Sequence, residues 1–144
     1  MALNKKKYQQ IILYFCHKLG GKIKGKKKLA KLLYFADFDF FEKTQKPITG
    51  EIYKALPMGP FPISLDKVVS EMEVKGILGV ETMKERGGYI PTEIYLSKVK
   101  PDDSVFSEEE KKIPDRVIQK YGHLNGKQLE DLTHSEAPYV GTEL

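Results

Sequence analysis

Between residues 26 and 44 the chain carries apolar side chains around nearly the whole circumference of a helix, and that stretch limits what everything else can be. Leu29, Leu32, Leu33, Ala36 and Phe40 recur at steps of three and four, Tyr34, Phe38 and Phe41 form an adjoining stripe, and Phe35 fills between them. A helix with no polar side has to be enclosed. This one is too short, and too charged at its ends, to cross a membrane. The spacing therefore predicts a central core helix wrapped by other elements of one domain. Burial of each large side chain contributes roughly 1.5–3 kcal/mol. A chain of 144 residues is long enough to supply the wrapping without disulfides.

Tyr8, Ile12, Phe15, Cys16 and Leu19 predict a first helix over 4–19, stopped by Gly20-Gly21. A lysine-rich connector leads to the core helix. Residues 47–62 are rich in Pro and Gly, with a short strand expected at 51–56 before a Met58-Gly59-Pro60 turn. Phe61, Leu65, Val68, Val69 and Met72 then predict an amphipathic helix ending at Gly76, with Ser64 near its start as N-cap. Over 77–98, Leu78, Val80, Ile90, Ile94 and Leu96 alternate around Arg86-Gly87-Gly88, which predicts a β-hairpin whose Pro91 strand is an edge or bulged. Ser107 with Glu110 spells a capping box for a helix over 108–121, where Pro114 is unwelcome beyond the first turn or so. A last helix is expected over 126–134 behind Asn125. The fold class is α+β: a mostly helical single domain around a buried helix, with one small antiparallel hairpin.

Little of this pattern points to catalysis. Cys16, the only cysteine, lies on an apolar helix face, so it reads as a small buried hydrophobe and no intrachain disulfide can form. Asp37 and Asp39 are two residues apart and diverge around the helix, so they do not make a metal site; one of them is placed to hydrogen-bond a loop. Thr133, His134, Ser135 and Glu136 are adjacent in sequence and therefore do not face one another as a triad would. A structural or binding role for His134 is the stronger reading. With no apolar leader and no run of 18 uncharged apolar residues, the chain reads as soluble and cytoplasmic.

Charge is distributed unevenly. Residues 1–36 hold ten lysines and no acid, whereas residues 37–144 hold 14 basic and 20 acidic side chains. The densest run is Lys22, Lys24, Lys26, Lys27, Lys28 and Lys31. Two readings stay open for it: a solvated face, or a patch for an acidic partner or nucleic-acid phosphates. The order of elements is also loosely similar to a winged helix, which keeps a nucleic-acid-binding regulator as the alternative function.

Two separated segments carry a resemblance. The first runs through Lys28-Leu29-Ala30-Lys31-Leu32-Leu33-Tyr34-Phe35-Ala36 and Lys46-Pro47-Ile48 to Ala55-Leu56-Pro57-Met58-Gly59-Pro60; the second is Leu129-Glu130-Asp131-Leu132-Thr133-His134-Ser135-Glu136-Ala137-Pro138-Tyr139. Together they resemble the paired signatures of the SocA-like antitoxin family, also called the Panacea domain or phage-associated GepA-like family. Leu56 and Tyr139 stand where that family usually has tryptophan. The resemblance implies one domain over 1–144, in a family that usually continues past its last motif, so the chain reads as a shortened or trimmed member. It implies a bacterial or phage antitoxin that neutralises a protein toxin by direct binding, with one branch delivering its toxin to a protease as an adaptor. It implies no enzymatic activity and no cofactor. Tyr34, Gly59, Pro60, Thr133, His134 and Pro138 are the positions carried over: Gly59-Pro60 to shape a turn, Thr133-His134 to pack beside it, or all of them to contact the toxin.

Overall fold

The computed structural model describes residues 2–84 and 91–136, the last two of these without their side chains. In chain order the elements are α1 (Lys5–Lys18), β1 (Lys22–Lys24), α2 (Lys26–Thr44), β2 (Tyr53–Leu56), β3 (Gly59–Pro62), α3 (Leu65–Val74), β4 (Leu78–Met83), β5 (Thr92–Ser97), a 3₁₀ turn (Asp103–Val105), α4 (Glu108–Tyr121) and α5 (Gly126–Glu136). The α+β class holds.

As its pattern requires, α2 is the enclosed rod. Leu29, Leu32, Leu33, Ala36 and Phe40 are buried, as are Tyr34 and Phe35, while Phe38 and Phe41 are half-buried. The wrapping comes from α1, α4, α5, β1, β3 and β5. Phe35 stacks on Tyr121 of α4 with centroids 4.0 Å apart, and Tyr34 meets Tyr53 of β2 edge-on at 5.3 Å. Helix α1 starts at Asn4, whose side chain accepts from the Lys7 amide, and it buries Tyr8, Ile11, Ile12 and Phe15 against the same core. Cys16 is buried there, its thiol pushed up to about 12 by desolvation.

The sheets depart from the pattern reading in three ways. The lysine-rich connector is itself a strand: β1 pairs antiparallel with β5, so β5 is central in the order β1-β5-β4 and not an edge. Pro91 does not prevent this, because it lies just before the strand and its missing N–H is not asked for in the ladder. The glycine turn at 86–88 and Ile90 lie outside the described residues. The core-facing side of β5 carries Tyr95, fully buried opposite Ile23 and Val80, whereas Ile94 and Leu96 lie half-buried on the other side. A tyrosine with an apolar body outcompetes flanking aliphatics for the inner position when its hydroxyl finds a partner, here Glu93 at 2.6 Å.

The third departure is a second hairpin in the Pro/Gly-rich segment. β2 and β3 pair as Tyr53↔Pro62, Lys54↔Phe61, Ala55↔Pro60 and Leu56↔Gly59, so Phe61 belongs to a strand and not to α3. The Ile63 amide donates to the Ile52 carbonyl at 3.1 Å. Alternation from that bond puts Pro60 and Pro62 at positions whose N–H would point away from β2, which is why two prolines fit in four residues. Ser64 does occupy the N-cap of α3, but its side chain makes no capping bond.

At the C-terminal end the caps are as the residues spell them. Ser107 and Glu110 form a reciprocal capping box on α4, and Asn125 with Gln128 does the same for α5. Pro114 lies in the second turn of α4 and the helix runs through it; its ring is buried, so packing outweighs the lost backbone bond.

Candidate functional site

The two signature segments are far apart in sequence, the first ending at Pro60 and the second beginning at Leu129, and they meet at one junction. Lys31 comes from the first half of α2, Gly59 and Pro60 open β3, and Thr133 comes from the last turns of α5. Lys31 is 1% exposed, and its ammonium donates to the Pro60 carbonyl at 3.1 Å. That carbonyl is available because Pro60 sits at a position facing away from β2. Gly59 has φ +105°, and a Cβ there would lie 2.6 Å from Lys31 Nζ and 2.9 Å from Thr133 Oγ1. Only a glycine both adopts that φ and leaves the space the two polar side chains occupy.

Electrostatics follow from the burial. Desolvation lowers the Lys31 pKa to about 8; the nearby Glu130 carboxylate opposes that and the Lys27 ammonium adds to it. Thr133, 1% exposed, donates its hydroxyl to the Glu130 carbonyl at 2.8 Å. The Glu130 carboxylate bonds Lys27 of α2 at 2.9 Å and Lys127 at 3.2 Å, and these bonds hold its pKa down at about 2. Lys27–Glu130 is thus a tie between α2 and α5 directly beside the buried junction.

A second polar cluster backs the first. Asp37, also buried on α2, accepts from the Thr49 amide at 3.0 Å, the Thr49 hydroxyl at 2.6 Å and the Tyr53 hydroxyl at 2.5 Å. Burial raises its pKa although these bonds pull the other way. The Thr49 hydroxyl accepts from the Glu51 amide at 3.1 Å, and Glu51 accepts from the Tyr8 hydroxyl at 2.6 Å and the Ser64 amide at 3.0 Å. Two buried carboxylates therefore pin the 47–52 loop and the β2–β3 hairpin to α1 and α2. Asp37 is the carboxylate that bonds a loop, and Asp39 diverges from it. Among the described residues no three His, Cys, Asp or Glu side chains cluster to hold a metal ion.

Of the positions singled out from the sequence, Gly59, Pro60 and Thr133 converge, and Lys31, which belongs both to the basic run and to the first signature segment, joins them. Tyr34 lies three residues further along α2, against Tyr53. His134 is exposed, so it and Thr133 diverge. Pro138 lies outside the described residues. The basic run disperses: Lys26 pairs with Asp66 at 2.8 Å, Lys27 with Glu130, and Lys28 caps the end of α4 through the Gly122 carbonyl at 2.7 Å, while Lys22 and Lys24 are exposed on β1. Lys26, Lys27, Lys28 and Lys31 thus bind this chain itself.

The roles of Lys31, Asp37 and Glu51 are not apparent from composition or motif. A signal for two of them exists: a rod apolar on every side leaves no solvent face for polar residues in its middle, so Lys31 and Asp37 have to find internal partners. Nothing comparable marks Glu51, whose partners come from α1 and from the start of α3.

What the geometry defines is an α+β scaffold whose signature residues serve as its own joint, with an amine, a carbonyl and a hydroxyl brought together from three elements. A family model, Antitoxin SocA-like, Panacea domain, matches residues 29–139, and the chain belongs to that family. No curated protein matches it significantly. No described helix is long and apolar enough to cross a membrane.

Proposed function

We propose that this protein is the antitoxin of a toxin–antitoxin pair, acting in the cytoplasm and neutralising a protein toxin by direct contact. The observation that carries the reading is the closed junction of Lys31, Gly59, Pro60 and Thr133 in a chain of the SocA-like antitoxin family. Its polar atoms find partners in the interior, Lys31 on the Pro60 carbonyl and Thr133 on the Glu130 carbonyl, which is how residues that build a shape behave; residues that turn over a substrate need an approach to it. The shape then serves a partner. Use of the 26–31 lysines as internal ties weakens the nucleic-acid alternative, since phosphate binding needs cations free to release counterions.

Co-expression tests the proposal. The product of the adjacent reading frame is expected to arrest growth when induced alone and to be harmless when this chain is co-expressed, with the two co-purifying. A neighbour that is harmless alone, or that stays toxic with the chain present, removes the basis of the reading. Delivery to a protease is the finer form: it predicts that the toxin's half-life shortens when the chain is present, whereas simple sequestration leaves it unchanged or longer.

A further inference from the structure

A second group of cations lies on a different surface from the lysine run. Two cavities, of about 700 and about 210 Å³, share Phe40, Lys43, Thr44 and Glu109 in their walls, so they form one groove between the C-terminal half of α2 and the N-terminal half of α4. Its floor is apolar: Phe40 is 5% and Ile113 3% exposed. Its walls are cationic. Lys43 and Lys46 stand on the α2 side; Lys112 and Arg116 stand on the α4 side, four residues apart and so on one helix face. Among the described residues these four exposed side chains make no ion pair, whereas Lys26 and Lys27 pair with carboxylates and Lys28 and Lys31 donate to backbone carbonyls. Lys7 at one end is already closed onto Glu110 at 2.7 Å.

We propose that this groove is the docking site for an acidic amphipathic segment of the partner protein, a proposal that rests on the antitoxin reading above. Such a segment sets an apolar side chain on Phe40 and Ile113 and its carboxylates against Lys43, Lys46, Lys112 and Arg116. Carboxylates spaced i, i+4 on a helix match Lys112 and Arg116. Nucleic acid suits the groove less well. The described lining offers no exposed aromatic face for bases to stack on, the contact on which single-strand binding relies. A partial apolar floor ringed by cations matches the core-and-rim arrangement of protein interfaces.

The test uses the full chain and the purified product of the adjacent reading frame, with affinity measured by calorimetry at low and moderate salt. Lys43→Glu with Lys46→Glu, and separately Lys112→Glu with Arg116→Glu, are each expected to weaken binding by about tenfold or more. Lys67→Glu, on exposed α3 away from the groove, is expected to leave it unchanged. Circular-dichroism melts confirm that the variants fold, and the milder Lys112→Gln with Arg116→Gln is expected to give a smaller loss in the same direction. Undiminished binding by both reversal variants overturns the groove while leaving the antitoxin reading standing. A wild-type chain that does not bind the neighbour at all removes that reading and the groove with it. Duplex DNA that binds the wild type and is lost in the same variants assigns the groove to nucleic acid and overturns the protein-partner proposal.

Discussion

The amine of Lys31 is where one residue's chemistry reads out the state of the whole junction. Below about pH 8 the folded chain must keep an ammonium away from water; between about 8 and the ordinary 10.5 the unfolded chain holds a proton that the folded chain has lost. Stability contributed by this site therefore rises with pH across that window. Lys31→Met removes the rise, so wild type should gain about 2 kcal/mol on the variant between pH 8 and pH 10.5. Urea titrations at both pH values measure it, and a stability difference between wild type and variant that is the same at both would show that Lys31 is solvated. Gly59 answers to sterics instead. Gly59→Ala is expected to destabilise by about 2–4 kcal/mol, from both the left-handed φ and the collision with Lys31 and Thr133. In a Lys31→Ala background part of that cost should disappear, because the nearest atom is then gone and only the backbone strain and the Thr133 contact remain.

At the scale of elements, helices were readable and strands were less so. Helix α2 falls on 26–44 as its apolar pattern demands, and α4 and α5 start where Ser107 and Asn125 can cap them. Caps and helical periodicity are local: every interaction that specifies them lies within four residues. Ser107→Ala should therefore cost about 1 kcal/mol, seen as a lower urea midpoint with an unchanged slope. The strands are set by partners far along the chain. β1 is three residues of Lys-Ile-Lys that become a strand because β5 lies beside them, and β3 contains two prolines that a pattern search counts against it. The inward turn of Tyr95 in place of Ile94 and Leu96 likewise depends on Ile23 and Val80 across the sheet.

For the whole molecule, the enclosed position of α2 couples nearly all other elements, since it touches helices, both sheets and the junction. Hydrogen exchange should show this directly. Amides from Leu32 to Ala36 are expected to exchange only through global unfolding, with an opening free energy equal to that from denaturation, whereas amides of β4 and of the last turn of α5 open at lower cost. Fast exchange in the middle of α2 would mean that it is not the core. Leu33→Ala, which cuts a cavity into that rod, is expected to cost about 3 kcal/mol.

By itself the sequence determined that a central helix had to be enclosed, that capped helices followed it, and that the paired signatures belonged to one family, because hydrophobic periodicity, caps and motifs are written in neighbouring residues. Only the tertiary structure decided which partners Lys31 and Asp37 find, that Thr133 rests against Gly59, and that Lys26, Lys27, Lys28 and Lys31 serve as internal ties while, among the described residues, Lys43, Lys46, Lys112 and Arg116 of the α2–α4 groove make no ion pair. Those outcomes depend on which distant carboxylate or carbonyl lies within about 3 Å of each polar atom, and such distances exist only once the chain has closed on itself.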